Sequence, residues 1–330
     1  MADVRGATDR LDWLPLGGRV ALHAALLLTA CLCCSAPGGS SVYGGQIVPL
    51  NFRASAAPTR QIHSRGFAAT SEGVMPLALM SSHGHSHSDS PKIDILEHGA
   101  PRGGQPQDSR RRLFVQLVAL ECPRTPGADN VAKMLFDSLG EQSLSGAVYA
   151  DVHHPWGLAV VVIQENPDEL VTKLRAAFAN PQLPDALRVR GEYAMLGRTY
   201  SSGFEPDLED WLLHRPRRTL LDPANKFGIW YPLRRKGGFE RLEPKEKGEI
   251  MREHGGIGRA YGDQNLAHDI RLACHGLDPN DNDFVIGLLG EELHPLSHVV
   301  QAMRRTRQTA EYMEKMGPFF VGRVLYRTPL

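Results

Sequence analysis

Charge excess, cysteine and long apolar runs are all scarce in this chain, and each scarcity closes off a class of function. Its 330 residues carry 37 Lys and Arg against 37 Asp and Glu. Such a balance gives no reason to expect a polyanion, so no nucleic-acid partner is predicted. Of five cysteines, Cys31, Cys33 and Cys34 crowd one N-terminal stretch, leaving Cys122 and Cys274 for the rest. A disulfide framework is excluded by that count. Both remaining cysteines sit in apolar runs, where the residue acts as a small buried hydrophobe and not as a nucleophile. The longest apolar run, Val20 to Cys34, has about fifteen residues against the roughly twenty that a spanning helix needs. Common catalytic loops are missing as well: there is no GxSxG elbow, P-loop or GxGxxG fingerprint, and the one GGIG lacks a strand immediately before it.

What is present begins with a leader. Val20 to Cys34 ends in the small residues Ser35, Ala36, Gly38 and Gly39, the form of a signal h-region. Downstream, Asn51 to Gly73 carries Arg53, Arg60 and Arg65 with no acid before Glu72, which is transit-peptide composition. Together they predict an organelle reached through the secretory route, a plastid in preference to a mitochondrion, and a mature chain with no stable membrane insertion. His83, His85 and His87 alternate in SHGHSHSDS, within a low-complexity stretch that offers no packing to preorganise a metal site. Pro101, Gly103, Gly104 and Pro106 extend the lack of periodicity to Arg112. Residues 1–111 therefore read as targeting leader and disordered linker.

From Leu113 onward the pattern is regular. Strand-like runs at Leu113 to Cys122, Ala147 to Val152, Leu158 to Gln164 and Leu187 to Leu196 alternate with helices after Asp129 and Asp168 in the order β-α-β-β-α-β. A short helix, Asp207 to Leu213, follows. The same order then returns: strand Phe227 to Leu233, helix Glu243 to Tyr261, strands Ile270 to Cys274 and Phe284 to Leu289, a long helix Ser297 to Met313, and strand Phe319 to Tyr326. The fold class is α+β: two tandem ferredoxin-like βαββαβ halves, residues 112–203 and 204–330, of the dimeric α+β barrel type.

The second half holds the chemistry. Ile250, His254, Ile257 and Tyr261 fall on one helical face, so His254 points inward, beside Gly255, Gly256 and Gly258, which add no side chains. Room beside a neutral imidazole suits a flat, large ligand such as a haem, with iron on the ring nitrogen. Spacing alone also fits a core histidine bonded to a carbonyl, the commoner case. In FGIWYPLRR the residues Phe227, Ile229, Tyr231, Leu233 and Arg235 share a face. If that face meets the helices, a phenol and a cation enter the same cavity as His254. On the next strand Asp269, Arg271, Ala273 and His275 alternate against Ile270, Leu272 and Cys274, and a mid-strand arginine needs a partner. Val299, Met303, Thr306 and Ala310 trace a stripe on the last helix, with Thr309 beside it. LDPNDND lacks the ligand spacing of a calcium loop and reads as an acidic hairpin turn.

The segments MREHGGIGRAY, HGLDPNDNDF and MRRTRQTAEYMEKMGPFFVG resemble the chlorite dismutase-like superfamily, which includes chlorite dismutases and coproheme decarboxylases. The resemblance spans residues 113 to 328 and implies a haem in the C-terminal half of each subunit of a homo-oligomer, usually a pentamer. It places the axial iron ligand on His254, within an intact MxxHGxxGRxY motif. YPLRR matches the decarboxylases' YPM segment, with Leu233 in place of Met. There the resemblance makes Tyr231 the reactive tyrosine and Arg235 a porphyrin contact, and it sets Thr309 where the family has a propionate-binding serine. The residue opposite the histidine corresponds to Asp269 or Arg271, and Arg271 is the expected one. Peroxidase-type chemistry on a small oxidant such as peroxide or chlorite is implied, with haem b as cofactor or coproheme as substrate. A haem carrier or sensor is the alternative from a different class.

Overall fold

The computed structural model describes residues 91–330. The leader, the transit-like stretch and His83, His85 and His87 lie outside the described residues.

The first element corrects the sequence expectation. Strands β1 (Glu97–Arg102) and β2 (Gln105–Ser109) form an antiparallel hairpin where a structureless linker is expected. Distant contacts hold it. Glu97 accepts from Arg198 Nη1 at 2.8 Å and from the Ser201 N–H at 2.8 Å, and the Ala100 N–H donates to the Glu205 carbonyl at 2.9 Å.

Strand β3 (Phe114–Glu121), helix α1 (Ala128–Glu141), strands β4 (Gly146–Asp151) and β5 (Gly157–Gln164), and helix α2 (Asp168–Phe178) follow as their periodicities predict. The strand expected over Leu187 to Leu196 is divided. A two-residue β6 (Arg188–Val189), a 3-10 turn at Gly191–Tyr193 and β7 (Met195–Thr199) take its place. The linking helix is also longer than expected: a π-type turn, Asp210–His214, runs into α3 (Arg215–Leu221), which accommodates Pro216 in its first turn, where no intrahelical N–H bond is lost. The second half comprises β8 (Phe227–Arg235), α4 (Pro244–Asp263), β9 (His268–Ala273), β10 (Phe284–Gly290), α5 (Leu293–Met303), α6 (Arg307–Tyr312), β11 (Met313–Met316) and β12 (Phe320–Arg327). The single helix expected from Ser297 to Met313 is thus broken between Met303 and Arg307.

Strand order is β7-β3-β5-β4 in one half and β12-β8-β10-β9 in the other, the order of a ferredoxin-like unit in each. Antiparallel pairings β4–β12 and β7–β9 join the halves at both edges, closing an eight-stranded barrel that leaves neither sheet with a free long edge. Period-2 alternation then sorts every strand. Inward residues such as Leu117, Tyr149, Val161, Trp230, Ile270 and Leu289 fill the barrel, together with Leu212 and Leu220 from the linking helix. The packing inside is close: a Cβ on Gly287 would lie 2.5 Å from the Trp230 ring. Outward residues of the first half pack under α1 and α2. Those of the second half, Ile229, Tyr231, Leu233, Phe284 and Leu288, face α4 and α5. That outer face carries the candidate site.

Candidate functional site

A slot opens between the outer face of β8, β9 and β10 and the helices α4, α5 and α6. All six residues singled out in the sequence line it: Tyr231, Leu233, Arg235, His254, Arg271 and Thr309. Sheet register explains the juxtaposition on the floor. Arg271, Ile286 and Tyr231 are direct cross-strand neighbours in one row, and Ala273, Phe284 and Leu233 form the next. Alternation along β8 and β9 turns all of them to the same side.

Helix α4 supplies the wall. Met251, His254, Gly258 and Tyr261 border the slot, while Ile250 is the residue of this helix that becomes fully buried. The expected role of the glycines is corrected in part. A Cβ on Gly258 would stand 3.5 Å from Met303 Cε, so this glycine does thin the helix toward the slot, whereas Gly255 and Gly256 face open space. The turn between α5 and α6 closes the far side, bringing the Thr306 hydroxyl to 3.2 Å from His254 Nδ1. Among the described residues, Nε2 of His254 has no protein hydrogen-bond partner. Burial pushes the imidazole down to about 4, and the nearby Arg271 and Arg235 cations add to the effect. At neutral pH His254 is therefore an uncharged imidazole.

Cations line the rest. The Arg235 guanidinium lies between Phe239 and Phe284, 4.5 Å from each ring centroid, and its backbone N–H donates to Asp283 Oδ2 at 2.7 Å. Asp283 closes the acidic turn between β9 and β10, so that turn anchors the backbone of the strand end that carries Arg235. Arg271 stacks on Trp211 at 4.7 Å, and Arg215 stacks on the same indole at 4.5 Å. Asp269 bridges the two cations, with Oδ1 2.5 Å from Arg215 Nη2 and Oδ2 2.8 Å from Arg271 Nε. The second contact is an ion pair with poor hydrogen-bond direction, since Arg271 Nε is left unsatisfied. Burial alone would raise the Asp269 carboxyl; Arg271 and Arg215 outweigh it and hold the group below its ordinary value. Arg235 Nε and Gln308 Oε1 are likewise buried without partners. Such groups are costly unless a ligand completes them.

Tyr231 stacks on Phe319 with ring centroids 4.6 Å apart, and burial raises its phenol well above the ordinary value. The sequence reading missed Trp211, Arg215 and Gln308. The linking helix looked like a mere connector, and Gln308 follows a helix break that the periodicity hides. Periodicity presents Thr306 only as one position on a helical stripe. The signal available for it was a threonine suited to capping a new helix start.

A closed barrel of two ferredoxin-like halves, with one histidine and several cations in a slot on the second, defines the class. A family model of chlorite dismutase matches residues 128–325, and the chain belongs to that family. Among solved structures, a haem-binding protein from Thermus thermophilus is similar with a TM-score of 0.52 and 22% identity, over 66% of this chain and 92% of that one. A variant of the chlorite dismutase of Candidatus Nitrospira defluvii, in complex with cyanide, gives a TM-score of 0.51 and 14% identity over the same shares. At these identities the likeness is one of fold. A search of curated proteins finds no match.

Proposed function

We propose that this chain is a haem-binding oxidoreductase in which His254 Nε2 ligates the iron and the slot performs peroxidase-type chemistry. The observation that carries the reading is the donor set: one neutral imidazole with a free lone pair, apolar walls, and buried arginine nitrogens without partners. A porphyrin fits it, since its ring needs the walls, its iron a nitrogen and its propionates the cations. A bound haem would supply the redox-active iron that peroxidase-type chemistry needs. The chain's own residues do the remainder. Arg235, fixed between two rings, offers its free N–H to a propionate, with the Thr309 hydroxyl as a second contact. Arg271, tethered through Asp269 to Arg215, offers a positive charge to a small anionic oxidant or leaving group.

A second reading, coproheme decarboxylation, is favoured by Tyr231. Tyr231 stands in one cross-strand row with Arg271, Ile286 between them, and two residues along its own strand from Leu233, and its phenol has no protein hydrogen bond among the described residues. Chlorite cleavage would instead rest on Arg271, and a haem carrier on the pocket alone. A homo-oligomeric assembly, pentameric by the family resemblance, and a plastid location belong to the same proposal.

Turnover separates these readings. The protein loaded with haem b or coproheme and given peroxide or chlorite should oxidise an external donor with peroxide. Replacement of Tyr231 by Phe should stop propionate loss, read by mass spectrometry, if coproheme is the substrate. Absence of turnover with every combination would overturn the enzymatic reading in favour of a carrier.

A further inference from the structure

The break between α5 and α6 brings a hydroxyl against the ring of the histidine. Thr306 is buried, with φ −70° and ψ 150°, and caps α6 by accepting from the Thr309 N–H. Its hydroxyl has one proton, and the best acceptor for it is the Met303 carbonyl at 2.8 Å, one turn back. The other hydroxyl contact, Thr309 Oγ1 at 3.3 Å, is longer. With that proton committed to Met303, Oγ1 can meet His254 Nδ1 at 3.2 Å only by accepting. The ring proton therefore sits on Nδ1, and the lone pair sits on Nε2, toward the slot.

We propose that Thr306 is the positioning residue for His254: its hydroxyl, oriented by the Met303 carbonyl, fixes the Nδ1–H tautomer and so dedicates Nε2 to a metal. This deepens the reading of His254 as iron ligand and rests on it. The nature of the partner matters as much as its presence. A carboxylate at this position would draw the Nδ1 proton and raise the basicity of Nε2. A hydroxyl carries no charge and accepts more weakly than a carboxylate, so the imidazole keeps its Nδ1 proton and the reduced iron is disfavoured less. Three acids of the surrounding elements are engaged elsewhere. Glu253 Oε2 accepts from the Arg307 N–H, and Glu246 and Glu311 pair with the Arg307 side chain.

The first test needs no haem. In the haem-free chain at neutral pH, the 15N shifts of His254 should report protonated Nδ1 and bare Nε2. Thr306→Val should move the ring toward the Nε2–H form, and Thr306→Ser should restore the native pattern. Wild-type His254 protonated on Nε2, or a Val variant with unchanged ring shifts, would overturn the assignment whether or not haem binds. In the haem-loaded protein, Thr306→Val should raise the haem dissociation constant about tenfold or more, and Thr306→Glu should lower the iron reduction potential. Native affinity in the Val variant together with an unshifted potential in the Glu variant would contradict the proposal. Preserved near-ultraviolet dichroism in both variants separates these effects from misfolding. A wild-type chain that takes up no haem, yet shows the predicted ring shifts, would instead count against the function proposed above.

Discussion

A proton on His254 costs more in the folded chain than in the unfolded one, because burial and two arginines oppose the charge. Its ordinary value of 6.5 falls to about 4 on folding. Between these values the unfolded chain binds a proton that the folded chain refuses, so stability falls as pH drops through that window and is unaffected by this group above it. Urea titrations of the haem-free protein should therefore show an acid-side loss of stability that His254→Gln reduces. Equal pH slopes for the two proteins would contradict the burial described here. At this scale the sequence was informative where a side chain's direction follows from local periodicity. Tyr231 and Arg235 share a face of β8, as Asp269 and Arg271 do on β9, and the strand register then places them on one floor. Which of Asp269 and Arg271 would meet a ligand was not legible. Both face the slot, and their division of labour depends on Arg215 and Trp211, which lie far away in sequence on the linking helix.

Elements were legible where they are amphipathic over several turns and illegible where distant contacts make them. Helix α4 and strands β3, β5 and β8 follow their patterns. The hairpin β1–β2 does not announce itself, since EHGAPR and QPQDS are polar and short, and their order comes from Glu97, Gln107 and Glu205. Removing the Glu97 carboxylate leaves Arg198 and the Ser201 N–H without their acceptor in a site only 11% exposed at the Glu97 side chain. Glu97→Ala should lower stability by about 1–3 kcal/mol, read as an earlier urea midpoint. A change under about 0.5 kcal/mol, as expected of a solvated surface position, would show that the Glu97 carboxylate does not anchor the hairpin. The interruption at Met303 to Thr306 was hidden for another reason: Val299, Met303, Thr306 and Ala310 keep helical spacing through it. The break shows itself only in the extended backbone of Thr306 and in the hydroxyl it turns toward His254.

At the scale of the whole molecule, two βαββαβ patterns were readable, but barrel closure was not. It depends on pairing β4 with β12 and β7 with β9, contacts between strands far apart in sequence that no local pattern encodes. Closure has a functional consequence. It commits the inner faces of both sheets to one shared core, so the slot forms on the outer face, under helices. In the second half that cover includes the histidine helix, while in the first half α1 and α2 seal their sheet with apolar side chains. The most direct test of the account is the axial ligand itself. Ferric haem bound to the wild-type protein should show a histidine-ligated optical and resonance Raman signature, His254→Gly should lose it, and added imidazole should bring it back. An unchanged signature in His254→Gly would contradict the central claim.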